Sequence, residues 1–369
     1  MQSDPVDILS TVERAASCLR SGRPVLVEDS DGTVLTQAAE TVSAEAMAAM
    51  KSMGEALPYL VITSQRATAV GLPVNGDPFV CLQLSGTDDL QTIEALADPT
   101  HQMSTPVHPT VLRQTPFGGV EAALRLTKVA RLLPAALVTR VPSQIAAQPN
   151  SDQADLLRVD AAAIVGYGDL VVETLRPVAE ARLPLAAAEN ARIIGFRPAE
   201  GSVEQFAIVV GSPAQHQPAL CRIHSECFTG DLLGSLRCDC GQQLQEALRI
   251  MGEAGHGVLL YMAHEGRGIG LINKLRAYQL QDTGIDTVDA NRQLGFDADE
   301  RSFRDAAVML RHLGIEQIRL LTNNPAKVRR LNEEGIVVTE RVPHAMAANR
   351  HNESYLRTKA ARAGHFLED

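Results

Sequence analysis

Three cysteines lie in one short run whose spacing limits how the surrounding chain can fold. The run is Cys227-Phe-Thr-Gly-Asp-Leu-Leu-Gly-Ser-Leu-Arg-Cys238-Asp-Cys240. Three thiolates are one ligand short of a closed tetrahedral zinc site, and catalytic zinc sites leave the fourth position for water. The spacing therefore indicates a metal that takes part in chemistry. A buried, redox-inert cysteine cluster is the alternative interpretation.

A disulfide-based fold is not expected. Only 6 Cys occur in 369 residues, and the first twenty residues have the pattern of an amphipathic helix rather than a signal peptide. Cys18, Cys81 and Cys221 are interpreted as ordinary small apolar residues. No apolar stretch approaches the roughly 20 residues of a membrane-spanning helix. We therefore expect a cytoplasmic protein with reduced thiols and no membrane partner.

The length and the net charge of the chain limit its number of domains and its choice of partners. A chain of 369 residues exceeds one comfortable core, so we expect two domains. The net charge of −10 argues against a nucleic-acid partner, which would require a basic face. An anionic small ligand would need a local cluster of Lys, Arg and backbone amides. The polar, turn-rich stretch from Ala146 to Gln153 predicts a linker, with domains at 1–170 and 175–369.

Two strand-to-helix junctions in the second half have the composition of anion sites. The apolar run Gly257–Met262 predicts a strand, and Glu265-Gly-Arg-Gly-Ile-Gly270 follows it before a helix begins. Glycines there let backbone N–H groups approach a phosphate, and the Arg267 guanidinium suits the same ligand. A tight turn alone would select the same glycines.

The second junction follows the predicted strand Ile318–Leu321. Thr322-Asn-Asn-Pro325 offers helix-capping side chains, and Lys327 lies one turn further on. Plain capping and anion binding are both open interpretations of this junction. The run Asp299 to Arg301, between the two junctions, has the composition of a solvated helix start.

The second half, from about Arg176 to Asp369, resembles GTP cyclohydrolase II, the enzyme that opens riboflavin biosynthesis. The resemblance implies an α/β (α+β) fold in which the second domain is a mixed sheet with flanking helices. The tail from Asn352 to Lys359 also fits the family. The main matching blocks are Arg222-Ile-His-Ser-Glu-Cys-Phe-Thr-Gly-Asp231, Ser235-Leu-Arg-Cys-Asp-Cys-Gly241, Glu265-Gly-Arg-Gly-Ile-Gly-Leu-Ile-Asn-Lys274, Asp286-Thr-Val-Asp-Ala-Asn291, Leu294-Gly-Phe-Asp-Ala-Asp-Glu-Arg301 and Leu321-Thr-Asn-Asn-Pro-Ala-Lys327.

The resemblance also implies a site. It makes Cys227, Cys238 and Cys240 the ligands of one Zn²⁺ per subunit, with Mg²⁺ on the triphosphate and a homodimer as the assembly. Asp299 matches the family's proposed proton acceptor and Arg301 its proposed nucleophile. Tyr278 matches the tyrosine linked to completing ring opening. The positions that correspond to GTP contacts are Arg222, Ile223, His224, Ser225, Glu226, Gln243, Glu265, Gly266, Arg267, Thr287, Thr322 and Lys327.

The implied reaction opens the guanine imidazole ring by hydrolysis, releases C8 as formate and separates pyrophosphate from a 5′-monophosphate product. A guanidinium with a pKa above about 12 is a poor nucleophile, so stabilisation of charge is the alternative role for Arg301. The family commonly has Gln where this chain has His264, and we expect that substitution to be tolerated.

The first domain weakly resembles 3,4-dihydroxy-2-butanone-4-phosphate synthase, an α+β enzyme often fused ahead of GTP cyclohydrolase II. The stretch Glu28 to Leu35 lacks the family's arginine and later acidic cluster. Gly119 stands where a histidine belongs, and Arg140 where a glutamate is expected. These departures predict a catalytically inactive domain, retained for dimerisation or stability.

Two other functions remain open from the sequence. One is a cyclohydrolase-like paralogue that acts on another nucleotide or gives a formylated product, and Tyr278 speaks against the formylated product. The other is a non-catalytic, nucleotide-binding regulatory protein. The three cysteines together with Asp299, Arg301 and Lys327 argue against it.

Overall fold

The computed structural model describes residues 4–85, 90–101, 109–112, 115, 117–143, 156–216, 218–353 and 362. These residues form two compact units, Met1–Leu170 with Ile272–Asp299, and Val171–Leu271 with Glu300–Asp369. One segment inside the predicted second domain, Ile272–Asp299, therefore belongs to the first unit. The predicted linker and residues 354–359 of the tail motif lie outside the described residues.

Helices and strands are labelled in chain order over the described residues. They are α1 Pro5–Arg20, β1 Val25–Asp29, β2 Gly32–Ala38, α2 Ala44–Met53, β3 Tyr59–Thr63, α3 Ser64–Ala69, β4 Phe79–Gln83, α4 Leu90–Ala97, β5 Thr110–Val111, α5 Val120–Val129, β6 Ala135–Val141, β7 Arg158–Asp160, α6 Ala161–Glu173, β8 Arg176–Arg182, β9 Ala191–Arg197, β10 Gln205–Val210, β11 Ala219–Ser225, α7 Cys240–Ala254, β12 Gly257–Met262, α8 Leu271–Asp282, α9 Thr287–Gln293, α10 Arg304–His312, β13 Gln317–Leu321, α11 Pro325–Glu333 and β14 Val337–Val342.

The sheet of the first unit has the strand order β5-β4-β3-β6-β2-β1-β7, with β7 parallel to β1 and the other pairs antiparallel. Successive strand residues point to opposite faces. Val61 accordingly lies in one buried cluster, whereas its neighbours Leu60 and Ile62 lie in another. The sheet is therefore covered by apolar side chains on both faces.

The sheet of the second unit has the order β14-β13-β11-β12-β10-β9-β8. Strands β14, β13, β11 and β12 run parallel to one another, while β10, β9 and β8 continue the sheet antiparallel. The predicted mixed sheet is confirmed. Because β11, β12 and β13 are parallel, their carboxyl ends at Ser225, Met262 and Leu321 lie along one edge, where open α/β sheets bind ligands.

Most predicted elements are present, and one is shorter than expected. The apolar runs Gly257–Met262 and Gln205–Val210 both predict strands, and both strands are confirmed. Helix α7 ends at Gly255, with φ +74°. The sequence pattern also predicts a helix from Gly119 to Leu133, but the helix extends only to Val129, because Arg131 takes the left-handed conformation at φ +58°. Leu132 N then donates to Thr127 O at 3.0 Å, a Schellman-like end.

No helix among the described residues is both long enough and apolar enough to cross a bilayer.

Candidate active site

The three cysteines of the Cys-x10-Cys-x-Cys run converge just beyond the carboxyl end of β11. Their Sγ atoms all lie within 4.8 Å of one another, and Cys227 Sγ is 3.7 Å from Cys238 Sγ. A tetrahedral zinc with Zn–S bonds of about 2.3 Å would separate its sulfurs by about 3.8 Å. The observed spacing therefore fits a zinc ion. Among the described residues, no fourth His, Cys, Asp or Glu joins this group.

The turn between the first and second cysteines packs directly on the sulfurs. Phe228–Leu232 forms one wide helical turn, in which Gly230 N donates to Cys227 Sγ at 3.3 Å. A Cβ on Gly230 would lie 2.7 Å from Cys238 Sγ and 3.1 Å from Cys227 Sγ. Position 230 therefore has no room for a side chain, and the glycine lets the backbone approach the thiols.

The protonation of the thiols would change when a cation binds. The hydrogen bond with Cys227 raises the pKa of Cys238 above that of an ordinary thiol. Three adjacent thiols thus resist ionising together. A bound dication would reverse this tendency, because thiolate ligands coordinate in the deprotonated form.

Asp231, which the sequence analysis did not single out, holds the first cysteine in place. Its Oδ2 accepts from Cys227 N at 3.0 Å and from the Tyr261 hydroxyl at 2.9 Å. His224 Nε2 lies 3.1 Å from both carboxylate oxygens. Burial lowers the pKa of His224, although the Asp231 contact opposes the shift. The sequence did offer a signal for this role, because Asp231 follows Cys227 by four residues.

Glu265 joins the ends of two neighbouring strands. Its Oε2 accepts from Phe228 N at 2.7 Å, and its Oε1 accepts from Gly266 N at 2.9 Å. Gly266 and Arg267 both adopt left-handed backbone conformations, at φ 63° and 65°. A non-glycine residue at such an angle is uncommon and is found at functional turns. The predicted turn after β12 is present, and its role in phosphate binding remains a prediction.

Arg222 on β11 connects the second and third cysteines to the sheet. Its Nη1 donates to Leu321 O at 2.8 Å, and its Nη2 donates to Gln243 Oε1 at 2.5 Å. Gln243 Nε2 in turn donates to Asp239 Oδ2 at 2.6 Å, between the two cysteines. Burial lowers the pKa of Arg222 to about 10, so it stays protonated at neutral pH.

Three cations gather around the buried ring of Phe303. Lys327 Nζ and the guanidinium carbons of Arg301 and Arg330 lie 5.7, 5.5 and 5.7 Å from the ring centroid, within the range of cation–π attraction. Lys327 Nζ also donates to Ile223 O at 2.9 Å, and Arg301 Nη1 to Ser225 Oγ at 3.0 Å. Three cationic side chains therefore lie near the carboxyl end of β11. Phe303 and Arg330 carried no motif that would have identified them.

The junction after β13 forms the predicted cap. Asn324 Oδ1 accepts from Ala326 N at 2.9 Å, and Thr322 Oγ1 accepts from Asn324 N at 3.1 Å. Pro325 occupies the first turn of α11, as predicted. Capping accounts for these side chains, so the cationic character of this junction comes from Lys327.

Three of the predicted site residues lie in the first compact unit. Tyr278 is on α8, Thr287 is the first residue of α9, and Asp299 ends the segment Ile272–Asp299. The roles of all three remain predictions.

His264 lies in the second unit beside a buried carboxylate. Its Nε2 is 2.9 Å from Asp305 Oδ2, which also accepts from Gln205 Nε2 at 3.1 Å. A glutamine amide can donate the same bond, which agrees with the expected tolerance of this position.

Replacement of Gly230 by Ala should weaken metal binding, because the added methyl would meet two sulfurs. We expect zinc affinity to fall by about 10- to 100-fold, as for other residues that orient metal ligands. Competition with a chromophoric chelator measures it. Gly168→Ala in α6 is the control, since no atom lies within 4 Å of its Cβ position and its backbone is helical. Equal affinity of Gly230→Ala and the parent would contradict the close packing of this turn on the thiols.

Protonation of His344 should destabilise the protein below neutral pH. The side chain is 3% exposed, its Nε2 is 2.9 Å from Gln243 O, and burial lowers its pKa from 6.5 to about 4. On acidification the unfolded chain therefore takes up this proton at a higher pH than the folded chain does. The stability contributed by neutral His344 is complete above pH 6.5 and decreases as the pH falls toward 4. Between pH 7 and 5 it should decrease by about 2 kcal/mol.

Urea unfolding of the parent and of His344→Gln at pH 7 and pH 5 measures this loss of stability. Metal-free protein is used for both, so that zinc loss at low pH does not contribute. The parent should lose more unfolding free energy than the variant. An equal loss in both proteins would show that His344 is not responsible.

Comparison with known proteins agrees with this geometry. The family model described as GTP cyclohydrolase II matches residues 176–343. A GTP cyclohydrolase-2 of Azospirillum brasilense is 49% identical over 363 residues, covering 97% of this chain and 94% of its own. A riboflavin biosynthesis protein RibBA of Salinispora tropica is 39% identical and covers 97% and 98% of the two chains.

A solved two-domain 3,4-dihydroxy-2-butanone 4-phosphate synthase from A. baumannii covers 84% of this chain and 93% of its own, at 18% identity and a TM-score of 0.35. A likeness that low supports no conclusion. The whole-length sequence relatives do support one, and this chain belongs to the GTP cyclohydrolase II family of enzymes.

Proposed function

We propose that this protein is a zinc-dependent GTP cyclohydrolase II. It would hydrolyse GTP to 2,5-diamino-6-(5-phospho-ribosylamino)pyrimidin-4(3H)-one, formate and pyrophosphate, the first step of riboflavin biosynthesis. The observation that carries the proposal is the convergence of Cys227, Cys238 and Cys240 at one strand end, beside the cations around Phe303. The three cysteines suit ring opening, and the cations suit the binding of a triphosphate.

Cys227, Cys238 and Cys240 would hold the zinc, which supplies Lewis acidity and a water of lowered pKa when bound. Asp231 and Glu265 fix the backbone at the first of these cysteines by accepting from Cys227 N and Phe228 N. These two carboxylates therefore position the ligands rather than compete for the metal.

Recognition of the phosphates would fall to the cationic side chains and Mg²⁺. Lys327 and Arg301 are anchored on Ile223 O and Ser225 Oγ, and Arg330 donates to Arg301 O at 3.1 Å. Anchored cations need little reorganisation as charge develops during pyrophosphate release. Their fixed positions favour a charge-stabilising role for Arg301. Asp299 as proton acceptor, Tyr278 in ring opening, Thr287 as a GTP contact, the homodimer and the cytoplasmic location remain predictions.

The metal and the ring-opening activity should be lost together. Zinc-loaded protein with GTP and Mg²⁺ should release formate, pyrophosphate and the diaminopyrimidine product, while Cys227→Ser should lack both zinc and formate release. Cys18→Ser should retain both, because Cys18 lies on α1 in the first unit. Formate release by protein that has lost its zinc would refute the proposal. Formate release from another nucleotide but not from GTP would indicate the paralogue function.

The first unit is proposed to lack synthase activity. Gly119 has φ +79°, and its Cβ position lies 3.1 Å from Val34 Cγ2, so a histidine would be strained and crowded there. Arg140 Nη2 donates to Asp31 O at 2.9 Å, over the turn that follows β1. A guanidinium in this position opposes binding of a divalent cation.

Purified protein supplied with ribulose 5-phosphate and Mg²⁺ should therefore form no dihydroxybutanone phosphate. Chromatography coupled to mass spectrometry measures the product. Its appearance at a rate that depends on enzyme concentration would overturn the assignment.

A further inference from the structure

The segment Ile272–Asp299 lies within the region that matches GTP cyclohydrolase II, yet it belongs to the first compact unit. It carries Tyr278, Thr287 and Asp299, three residues with predicted roles in the reaction. Side chains of that same unit hold the segment in place.

Arg66 on α3 joins the segment to α4 through its guanidinium. It is 5% exposed, and its Nε and Nη2 donate to Leu96 O and Ala95 O at 2.8 and 2.9 Å. Its Nη1 donates to Gln293 O at 3.1 Å, at the end of α9. The last carbonyls of a helix lack intrahelical partners and carry partial negative charge. One cation therefore satisfies the carboxyl ends of two helices.

Arg276 on α8 makes a second connection through two carboxylates. Its Nε lies 2.8 Å from Asp98 Oδ2, and its Nη2 lies 3.0 Å from Glu40 Oε1. Both carboxylates are themselves held, since Asp98 Oδ1 accepts from Thr100 N at 2.8 Å and Glu40 Oε2 from Leu133 N at 2.8 Å. The Asp98 side chain is 4% exposed. Loss of its charge would leave buried Arg66 and half-buried Arg276 with less compensation, which is destabilising.

A close backbone approach forms the third connection. Thr63 Oγ1 donates to Gly295 O at 2.7 Å. Gly295 has φ +88°, and a Cβ there would lie 2.9 Å from both Thr63 Oγ1 and Pro134 Cγ. Gln65 Nε2 also donates to Asp297 Oδ1 at 2.6 Å, two residues before Asp299. The segment is thus held at Arg276 on α8 and over residues 293–297.

We propose that Arg66, Asp98 and Arg276 are positioning residues of the cyclohydrolase, which fix the segment bearing Tyr278, Thr287 and Asp299. The first unit then has a structural role, which is to hold this segment, even without synthase activity. Its retention follows from this role, because the segment's buried partners come from α3, α4 and the chain before β6. The catalytic part of this inference rests on the proposed function.

The test is Asp98→Asn in the full-length, zinc-loaded protein, with hydrogen exchange and steady-state kinetics as readouts. Amide exchange should rise within residues 272–299 and stay unchanged in α7 and α10 of the second unit. The kcat for formate release should fall by about 10- to 100-fold, as for other small misplacements of catalytic groups. Zinc content should be unchanged.

If Asp98→Asn does not fold, Arg276→Lys replaces it as the test variant. It keeps the positive charge but loses the simultaneous contact with Asp98 and Glu40. It should show the same two effects at smaller size. Glu13→Gln is the matched control, a carboxylate-to-amide change in the exposed pair with Arg20 of the same unit, and should change neither readout.

Unchanged exchange in the segment, or faster exchange with an unchanged kcat, would overturn the proposal. If the parent releases no formate, the proposed function fails independently, and the exchange data alone then decide whether these residues hold the segment.

Discussion

The parallel pairing of β11 with β12 and β13 is the constraint on which the candidate site depends. It brings the chain after Ser225, Met262 and Leu321 to one edge of the sheet. The segments that follow these three strands carry Cys227, Glu265 and Lys327, which are far apart in the sequence. Phe228 N to Glu265 and Lys327 Nζ to Ile223 O are the hydrogen bonds that join them. A different strand order would separate the thiols from the cations.

Cationic side chains gather at this edge of the sheet, although the whole chain is acidic. The protein carries a net charge of −10, yet Arg222, Arg301, Lys327 and Arg330 gather near the end of β11. Burial is tolerated because each cation donates to a fixed oxygen or lies against the Phe303 ring. An overall acidic protein can therefore hold a local group of cationic side chains.

The sequence predicted the parts of the site that depend on short spacing. Asn324 as a helix cap, the strand over Gly257–Met262 and the three cysteines each have a local signal, and all were found together in the second unit. Phe303 was missed because two of the cations around it lie on α11, whereas Asp231 had a local signal in its position four residues after Cys227. The helix after Gly119 was overextended, since the left-handed Arg131 leaves no compositional trace.

The placement of residues 272–299 had no sequence signal at all. Thr63 and Gly295 are separated by 232 positions, and no pattern in either stretch refers to the other. Such long-range pairs are determined by packing, so local composition does not reveal them. They nevertheless tie to the first unit a segment that the GTP cyclohydrolase II family model includes.

The most direct test of the central claim is X-ray absorption spectroscopy at the zinc edge of the metal-loaded protein. The account predicts three sulfur ligands at about 2.3 Å and one oxygen or nitrogen ligand at about 2.0–2.2 Å. The sulfur shell should drop to two in Cys238→Ser. A shell of four sulfurs, or a shell of oxygen and nitrogen alone, would contradict an open three-thiolate centre.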